Sequence, residues 1–438
     1  VIIDGLSDDP ISPATRVLIL VQNLPVPGDR RVWLECQALR RAGYQVSVIS
    51  PRAAGDPDHE IREGIHLHKY DAPPPTRSTT DFFKEFASCW WRTFRLVRYV
   101  AAHEGFDVIQ ACNPPDTFWL IGRLYRRQGI RFVFDQHDLC PELYQSRFGR
   151  PSPVLLAGLR WLEKQTYRTA HHVIATNESY REIAMTRGHK SGDEVTVVRS
   201  GPSERLRQVD PRPELRRGYR HLACYVGVMG PQDGVDVALH AIAHYVHRLG
   251  RRDTFFALMG NGDCHSELVR LAHELDIEDV VSLPGRVSDA VLFEHLSTAS
   301  VGLCPDPMNP LNDVSTMNKT MEYMAFGLPF VAFDLRETKV SGGSAGVYVP
   351  NQNGAEGFAR ALGELLDQPA ERALMGQEGR RRVAHGLAWR HQEPAYVRVY
   401  DRMFDRERVI VLPGPVVPTR VSQSGRGRNL RFEDPAAS

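Results

Sequence analysis

Nowhere does the chain run to 18 consecutive apolar residues, the length that marks a membrane-crossing helix. Its start, VIIDGLSDDP, has no basic stretch leading into an apolar one, so neither a secretory signal nor a membrane span is expected. A dominant charge is missing too: 54 Lys and Arg against 53 Asp and Glu leave +1 with histidine neutral. A dedicated nucleic-acid binder would be clearly basic, so that class is set aside. The seven cysteines (Cys36, Cys89, Cys112, Cys140, Cys224, Cys264, Cys304) are odd in number and scattered, with no C-x-x-C and no Cys/His cluster at metal spacing. Neither a disulfide framework nor a zinc site is indicated, and reduced thiols in a cytosolic protein are the simplest account.

What is present is ordinary globular material: 438 residues, 42% hydrophobic and 24% charged, too many for one core and enough for two. Residues 1–14 read as a loose leader. From Arg16 the pattern becomes strand, loop, helix, strand: RVLILVQ, NLPVPGDRR, VWLECQALRRAG and QVSVISP, with Gly43 ending the helix. Short apolar strands return at Asp107, Arg131, His172 and Val195. After a Pro- and Arg-rich stretch at 200–218 a second series begins at Leu222, Thr254, Val280, Ser300, Phe330 and Gly346. Continuous apolar strands between helical segments predict buried parallel sheets. The fold class is therefore α/β, with two Rossmann-like parallel-sheet domains at 15–205 and 206–385 facing a cleft. A helix over 386–410 is expected to cross back to the first domain, and 411–438 to be a disordered tail.

Two segments carry more. In 82–99, Phe82, Phe83, Phe86, Trp90, Phe94 and Val97 recur at helical spacing among Lys84, Arg92, Arg95 and Arg98. This fits either an interfacial helix on anionic lipid or one that packs on the first domain and covers its acceptor pocket. The other segment is NDVSTMNKTMEYMAFGLP, Asn312 to Pro329, read as one helix from Ser315 or Thr316 to Gly327. Met317, Met321 and Met324 form a stripe, and Asn318, Lys319 and Glu322 fall roughly 90–190° around from it. Donors at a helix N-terminus suit a phosphate, and a carboxylate one turn later suits sugar hydroxyls. A solvated face beside a methionine-filled core is the alternative.

Taken together, the two α/β units, Asp135-Gln136-His137-Asp138 after a strand, MGNGD around Gly262, and NKTMEYMAFGLPFV resemble glycosyltransferase family 4. The resemblance implies the GT-B fold and a retaining transferase that uses a nucleotide sugar. The branch it is most similar to builds bacterial polysaccharides and lipid-linked glycans. Carried over residue by residue, Glu322 matches the second glutamate of the family's Glu-x7-Glu motif, on the donor ribose. Lys319 with Asn318 matches a phosphate contact, and Gly227 the glycine of the diphosphate loop. His137 is implied to meet the donor sugar, with Asp138 orienting it. Asp116 and Glu142 flank the same edge as acceptor contacts or loop-closing residues.

The chain also departs from the family. The first glutamate of the motif is Val314, so Asn312, Asp313, Ser315 and Thr316 would have to serve in its place. The usual arginine and lysine of the diphosphate loop are Val228 and Asp233. Arg286, Lys319, Arg30 and Arg31 are the cations available to replace them, although simple solvation also accounts for an Arg pair after a turn. The family works without a protein nucleophile, which fits the absence of a Ser/His/Asp set. No metal or other cofactor is expected. The implied partners are a UDP- or GDP-type sugar and a hydroxyl acceptor that is a glycan, a lipid-linked molecule or a small molecule. The expected location is the cytoplasm or the inner membrane face. A nucleotide-sugar 2-epimerase using Asp116, His137 and Glu142, and a degenerate sugar-nucleotide-binding scaffold, are the alternatives.

Overall fold

The computed structural model describes residues 14–71, 79–148 and 151–406, with side chains throughout except over 79–86. The first 13 residues, the 411–438 tail and the side chains of Phe82, Phe83, Lys84 and Phe86 lie outside this. Runs such as RVLIL and FVAF, apolar on both faces, can only be satisfied between layers of helix. The strands β1 (Arg16–Leu20), β2 (Gln45–Pro51), β3 (His59–Arg62), β4 (Ile65–Tyr70), β5 (Val108–Cys112), β6 (Arg131–Gln136), β7 (His172–Ala175) and β8 (Val195–Val197) build one sheet. Its order is β3-β4-β2-β1-β5-β6-β7-β8, parallel except for β3. The second sheet contains β9 (His221–Val226), β10 (Thr254–Met259), β11 (Val281–Gly285), β12 (Val301–Cys304), β13 (Phe330–Phe333) and β14 (Gly346–Val349). It is wholly parallel, in the order β11-β10-β9-β12-β13-β14.

Both orders reverse direction beside the first strand of the sheet, between β1 and β5 and between β9 and β12. Ligands of open α/β sheets bind outside the carboxyl ends of the strands at such points. The loops to watch are therefore those after β1, β5 and β6 and those after β9, β10 and β12. The pair β3–β4 has no counterpart in the sequence expectation. HEIR and IHLHKY are too polar to read as strands, and they pair only because Glu63 and Gly64, at φ 53° and 75°, supply the turn.

The helix Trp389–Met403 lies on the first domain. Trp389, Tyr396, Tyr400 and Met403 join Val17, Ile19 and Trp33 in one core, and Tyr44 OH donates to Asp401 Oδ1 at 2.8 Å. The crossing runs against the linker, since Trp389 N donates to Pro202 O and a Cβ on Gly201 would lie 1.9 Å from Leu387 O. In the helix Thr79–His103, Cys89 and Val97 are buried and Trp90 and Phe94 pack on the first-domain core, while Trp91 and Tyr99 face solvent.

The helix expected from Ser315 or Thr316 starts later, at Asn318, with Met317 outside it as cap. The reason is tertiary. Val314 packs against the first domain's core and Leu311 belongs to it, and Asn177 Nδ2 donates to Val314 O and Thr316 Oγ1. Tethered to the other domain, this segment closes only isolated turns, such as Val314 N to Leu311 O at 3.2 Å, that do not run on into the helix.

Trp389→Ala should cost about 3–5 kcal/mol, as for other buried aromatic truncations. A lowered denaturant midpoint is expected; an unchanged one would mean that the crossing helix is not docked in solution.

Candidate active site in the interdomain cleft

The first-domain half is built on Asp135, the penultimate residue of β6, which is completely buried. Arg31, at the start of the helix Arg30–Arg41, places Nη2 2.9 Å from Asp135 Oδ1 and Nε 3.0 Å from Glu35 Oε1. His137, just past the strand, holds Nε2 2.7 Å from Asp135 Oδ2. Arg31 Nε also lies 3.2 Å from that nitrogen, but two N–H groups cannot share a bond. The shorter carboxylate contact decides that Nε2 carries the proton, which leaves Nδ1 free of Asp135. Gln110 Nε2 donates to Glu35 at 2.8 Å and to Asp135 at 3.0 Å, and its Oε1 accepts from Tyr396 OH at 2.6 Å and from Tyr400 OH.

Electrostatics sort these groups. Burial alone would protonate Asp135, but Arg31 and His137 override it and hold the carboxylate far below its usual range. Burial followed by Asp135's charge pushes Glu35 up, so Glu35 is the protonated partner of the pair. His137 is opposed by burial, yet Asp135 raises it to about 9. At neutral pH the cluster presents an imidazolium at the cleft edge.

Arg31, expected as a donor contact, sits instead beneath the site, with Nη1 donating to Val198 O at 2.8 Å and Ser200 Oγ at 3.0 Å. Asp116 is buried and accepts from Asn113 Nδ2 at 3.0 Å, and burial lifts its carboxyl to about 6. Asn113 Oδ1 also accepts from the backbone N–H groups of His137 and Asp138, so it shapes the turn that aims both residues. Burial raises the Asp138 carboxyl, against the pull of His137. Glu142 is occupied by Arg187, which also holds Glu163 at 2.7 Å, and is a brace rather than a free acceptor contact.

On the second domain, the loops after β9 and β10 meet backbone to backbone. A Cβ on Gly260 would sit 1.8 Å from Gly227 O, and one on Gly262 2.6 Å from Met229 O. Met229 N donates to Asn261 O at 3.1 Å, so Gly260 and Gly262 are needed for the close approach, while Gly227 is required by its φ of 155° and by the Tyr225 hydroxyl 3.0 Å from where its Cβ would be. Val228 is 61% exposed at the loop crest. Asp233 turns inward, accepting from Gly230 N at 2.9 Å, with its carboxyl raised to about 6 by burial against the pull of Lys319.

Lys319 corrects the expectation of an exposed phosphate contact. It is buried, 2.6 Å from Asp306 Oδ1 and 5.0 Å from the Tyr225 ring centre, with Cε 3.3 Å from where a Gly227 Cβ would be. It underlies the loop at Gly227 rather than facing the cleft. Asn318 is exposed, as is Arg286, which has no ion-pair partner among the described residues. Glu322 is 18% exposed, and Arg30 reaches it from the opposite domain at 3.4 Å while also pairing with Asp289 at 2.7 Å. Burial raises the Glu322 carboxyl and Arg30 opposes the shift.

The four residues expected to stand in for the missing glutamate instead hold the domains and loops together. Asn312 Nδ2 donates to Gln232 O and Pro307 O, and Asp313 Oδ1 accepts from Arg336 N at 2.9 Å. Ser315 Oγ lies 2.9 Å from Tyr180 OH, and Thr316 accepts from Asn177. Two contributors carry no role in the sequence expectation. Asp135 is quoted there only as the start of Asp-Gln-His-Asp, because a polar residue near the end of an apolar strand reads as its terminus. Arg147 contacts Asp263 across the cleft and also acts on Asp233, and nothing in its sequence neighbourhood singles it out.

Two Rossmann-like units whose switch-point loops face one another define the GT-B glycosyltransferase fold. Residues 28–201 match the glycosyl transferase 4-like domain and 220–368 the glycosyl transferases group 1 domain. The chain belongs to glycosyltransferase family 4. It is 29% identical over 404 residues to the MMP alpha-(1->4)-mannosyltransferase of Mycolicibacterium hassiacum, covering 84% of this chain and 92% of that one. It is 27% identical over 398 residues to the D-inositol 3-phosphate glycosyltransferase of Kineococcus radiotolerans, covering 83% and 87%. Among solved structures, the sucrose-phosphate synthase of Thermosynechococcus elongatus superposes with a TM-score of 0.72 at 19% identity, over 90% of this chain and all of that one. Anabaena HepE in complex with UDP and glucose gives 0.65 at 15% identity, over 89% of this chain and all of that one.

Lys319→Ala should destabilise the second domain by about 3–5 kcal/mol by leaving Asp306 buried and unpaired. Lys319→Met combined with Asp306→Leu should recover most of that stability in denaturant titrations. Wild-type stability in the single variant would mean that Lys319 is not committed to Asp306. A second expectation concerns pH. His137 is raised from 6.5 to about 9, so its pairing stabilises the fold fully below about pH 6.5 and is lost as pH rises through about 9. Glu35, held protonated, works in the same direction. The melting temperature should fall between pH 7 and 9.5, and His137→Gln should flatten that slope.

Proposed function

We propose that this chain is a retaining glycosyltransferase that moves a sugar from a UDP- or GDP-type donor to a hydroxyl of a glycan, lipid-linked or small-molecule acceptor. The observation that carries the reading is Glu322. It is a half-desolvated carboxylate at the switch point of the second sheet, faced at 3.4 Å by Arg30 of the first domain. A carboxylate so placed accepts the two ribose hydroxyls, and Arg30 swings from it to the donor's phosphates.

The diphosphate needs cations where Val228 and Asp233 provide none, because a charge-assisted hydrogen bond to a phosphate is worth about 1.5–3 kcal/mol. Arg30, Arg147 and Arg286 supply them, together with the backbone N–H groups after Gly227. The leaving diphosphate stays on one face of the sugar and takes the acceptor hydroxyl's proton, so no protein nucleophile and no metal are required for the chemistry. The His137 imidazolium donates to a donor-sugar hydroxyl from the facing sheet, positioned by Asp135 and Arg31. The name of the D-inositol 3-phosphate glycosyltransferase relative supports a small phosphorylated polyol as one such acceptor, and that of the mannosyltransferase relative supports a hexose as the sugar moved. No helix among the described residues is long and apolar enough to cross a membrane. The cytoplasm is the proposed location, with the exposed Trp91 and Tyr99 side available for contact at the inner membrane face.

Calorimetry with UDP, GDP and their sugars tests this. One nucleotide should bind, and a donor at 100 times its dissociation constant should stabilise the fold by about 2.7 kcal/mol. Glu322→Ala should weaken that binding at least tenfold without loss of folding. If no nucleotide binds, or Glu322→Ala binds as wild type does, the reading fails. Solvent deuterium entering the donor sugar without acceptor would instead indicate the epimerase chemistry.

A further inference from the structure

Away from the cleft, a second group of titratable side chains converges where β3, β4 and the chain just after the helix Thr79–His103 meet. His66 and His68 share one face of β4, two residues apart. His59 stands opposite His68 in the β3–β4 register, and Ser47 of β2 stands beside His66. Glu104 completes the group. One ligating atom from each of His59, His66, His68 and Glu104 lies within 4.8 Å of the other three.

The contacts within the group are unlike an ordinary hydrogen-bonded cluster. His68 Nε2 and His66 Nδ1 approach the same oxygen, Glu104 Oε1, at 2.8 Å and 3.3 Å. The His66 approach is out of line for a hydrogen bond, and its buried Nδ1 finds no other partner. Glu104 is fixed from behind by Ser47 Oγ, which donates to Oε2 at 2.6 Å. The His59 ring lies 4.7 Å from that of His68, and Tyr99 closes the side with its ring 5.9 Å from His68.

Each imidazole can offer one nitrogen lone pair to a metal ion, and the carboxylate supplies an oxygen beside them. A tetrahedral ion with bonds of about 2.0–2.1 Å would space its ligand atoms about 3.4 Å apart, within about 1.4 Å of their present separations. We propose that His59, His66, His68 and Glu104 form a structural site for a borderline divalent cation, zinc in the first place. Three nitrogens and one carboxylate oxygen suit zinc, cobalt or nickel and not magnesium or calcium. Four protein ligands close the shell, which marks the site as structural rather than catalytic, and Ser47 is the outer partner of Glu104. The ion replaces the proton between His68 and Glu104. It clasps the polar β3–β4 hairpin to the base of the long helix.

The site is independent of the donor chemistry, because His66 pairs with Ser47 in the amino-terminal half of β2 and the cleft lies at the carboxyl ends. The other group of ligand-type residues, Glu35, Cys112, Asp135 and His137, already encloses a cation, since Arg31 pairs with both carboxyls. Sequence spacing alone does not reveal the hairpin site, because the hairpin supplies three ligands and the fourth comes from Glu104 beyond the helix.

The test uses the tag-free, chelator-treated full chain, titrated with zinc chloride by calorimetry and with Co2+ by visible absorption. One equivalent should bind, Co2+ should give the intense bands of a four-coordinate site, and zinc should raise the melting temperature. His66→Ala with His68→Ala should abolish all three, while His137→Gln keeps them. Ser47→Ala should weaken zinc binding by about 10–100-fold. If the double variant misfolds by circular dichroism, the exposed His59→Ala must weaken binding at least tenfold. The proposal is overturned if no equivalent binds, if it survives the double variant at full affinity, if His59→Ala leaves it unchanged, or if His137→Gln removes it.

Discussion

A single carboxylate with no access to water organises the first domain. Asp135, next to last in β6, lies inside protein on every side, a position that would normally neutralise it. It stays charged because Arg31 and His137 converge on it from different segments, and this requirement dictates much of the surrounding chain. The helix after β1 must begin so that Arg31 points inward, and the turn after β6 must bend so that His137 folds back. Gln110 of β5 joins Asp135 and Glu35, and through it Tyr396 and Tyr400 tie the far end of the chain to the same group. Removing one member of such a network leaves the others as uncompensated buried charge, so the network enforces one arrangement.

The second domain repeats the device with different parts. Lys319 and Asp306 pair beneath the glycine loop, and the lysine's stem supports Gly227 from below. A charge suited to a nucleotide diphosphate is thereby committed to structure, as Arg31's is in the opposite domain. Arg30 and Arg147 cross the cleft on exposed side chains to carboxylates, and Arg286 is exposed just past the carboxyl end of β11. Buried pairs fix the walls and exposed ones remain exchangeable, because an exposed ion pair is worth only about 0–1 kcal/mol and yields readily to a phosphate.

The parts of this molecule legible in sequence are those written by apolar periodicity. Twelve of the fourteen strands among the described residues announce themselves as short apolar runs, and Trp389, Tyr396 and Tyr400 mark the helix that returns to the first domain. β3 and β4 are not legible because histidine and charged side chains outnumber the core residues Ile65, Leu67 and Tyr70 along them. Within the site, His137 and Glu322 can be placed because a strand end and a helix turn locate them. Arg31 and Lys319 mislead for a common reason. Charge in sequence reads as exposure, and only the fold shows that Asp135 and Asp306 wait for them in the interior.

The absence of the family's first motif glutamate has a physical setting. Position 314 does not face an open cleft; it packs on the first domain's core, beside Leu311, and its carbonyl accepts from Asn177. A carboxylate there would be desolvated against apolar side chains with no cation assigned to it, whereas valine gains from the same burial. Ser315, Thr316 and Glu337 add polar contacts to Tyr180, Asn177 and Ser179 on the facing helix. The segment is thereby a wedge between the domains, and on the proposed reading donor recognition falls to Glu322 at one end of the cleft and His137 at the other.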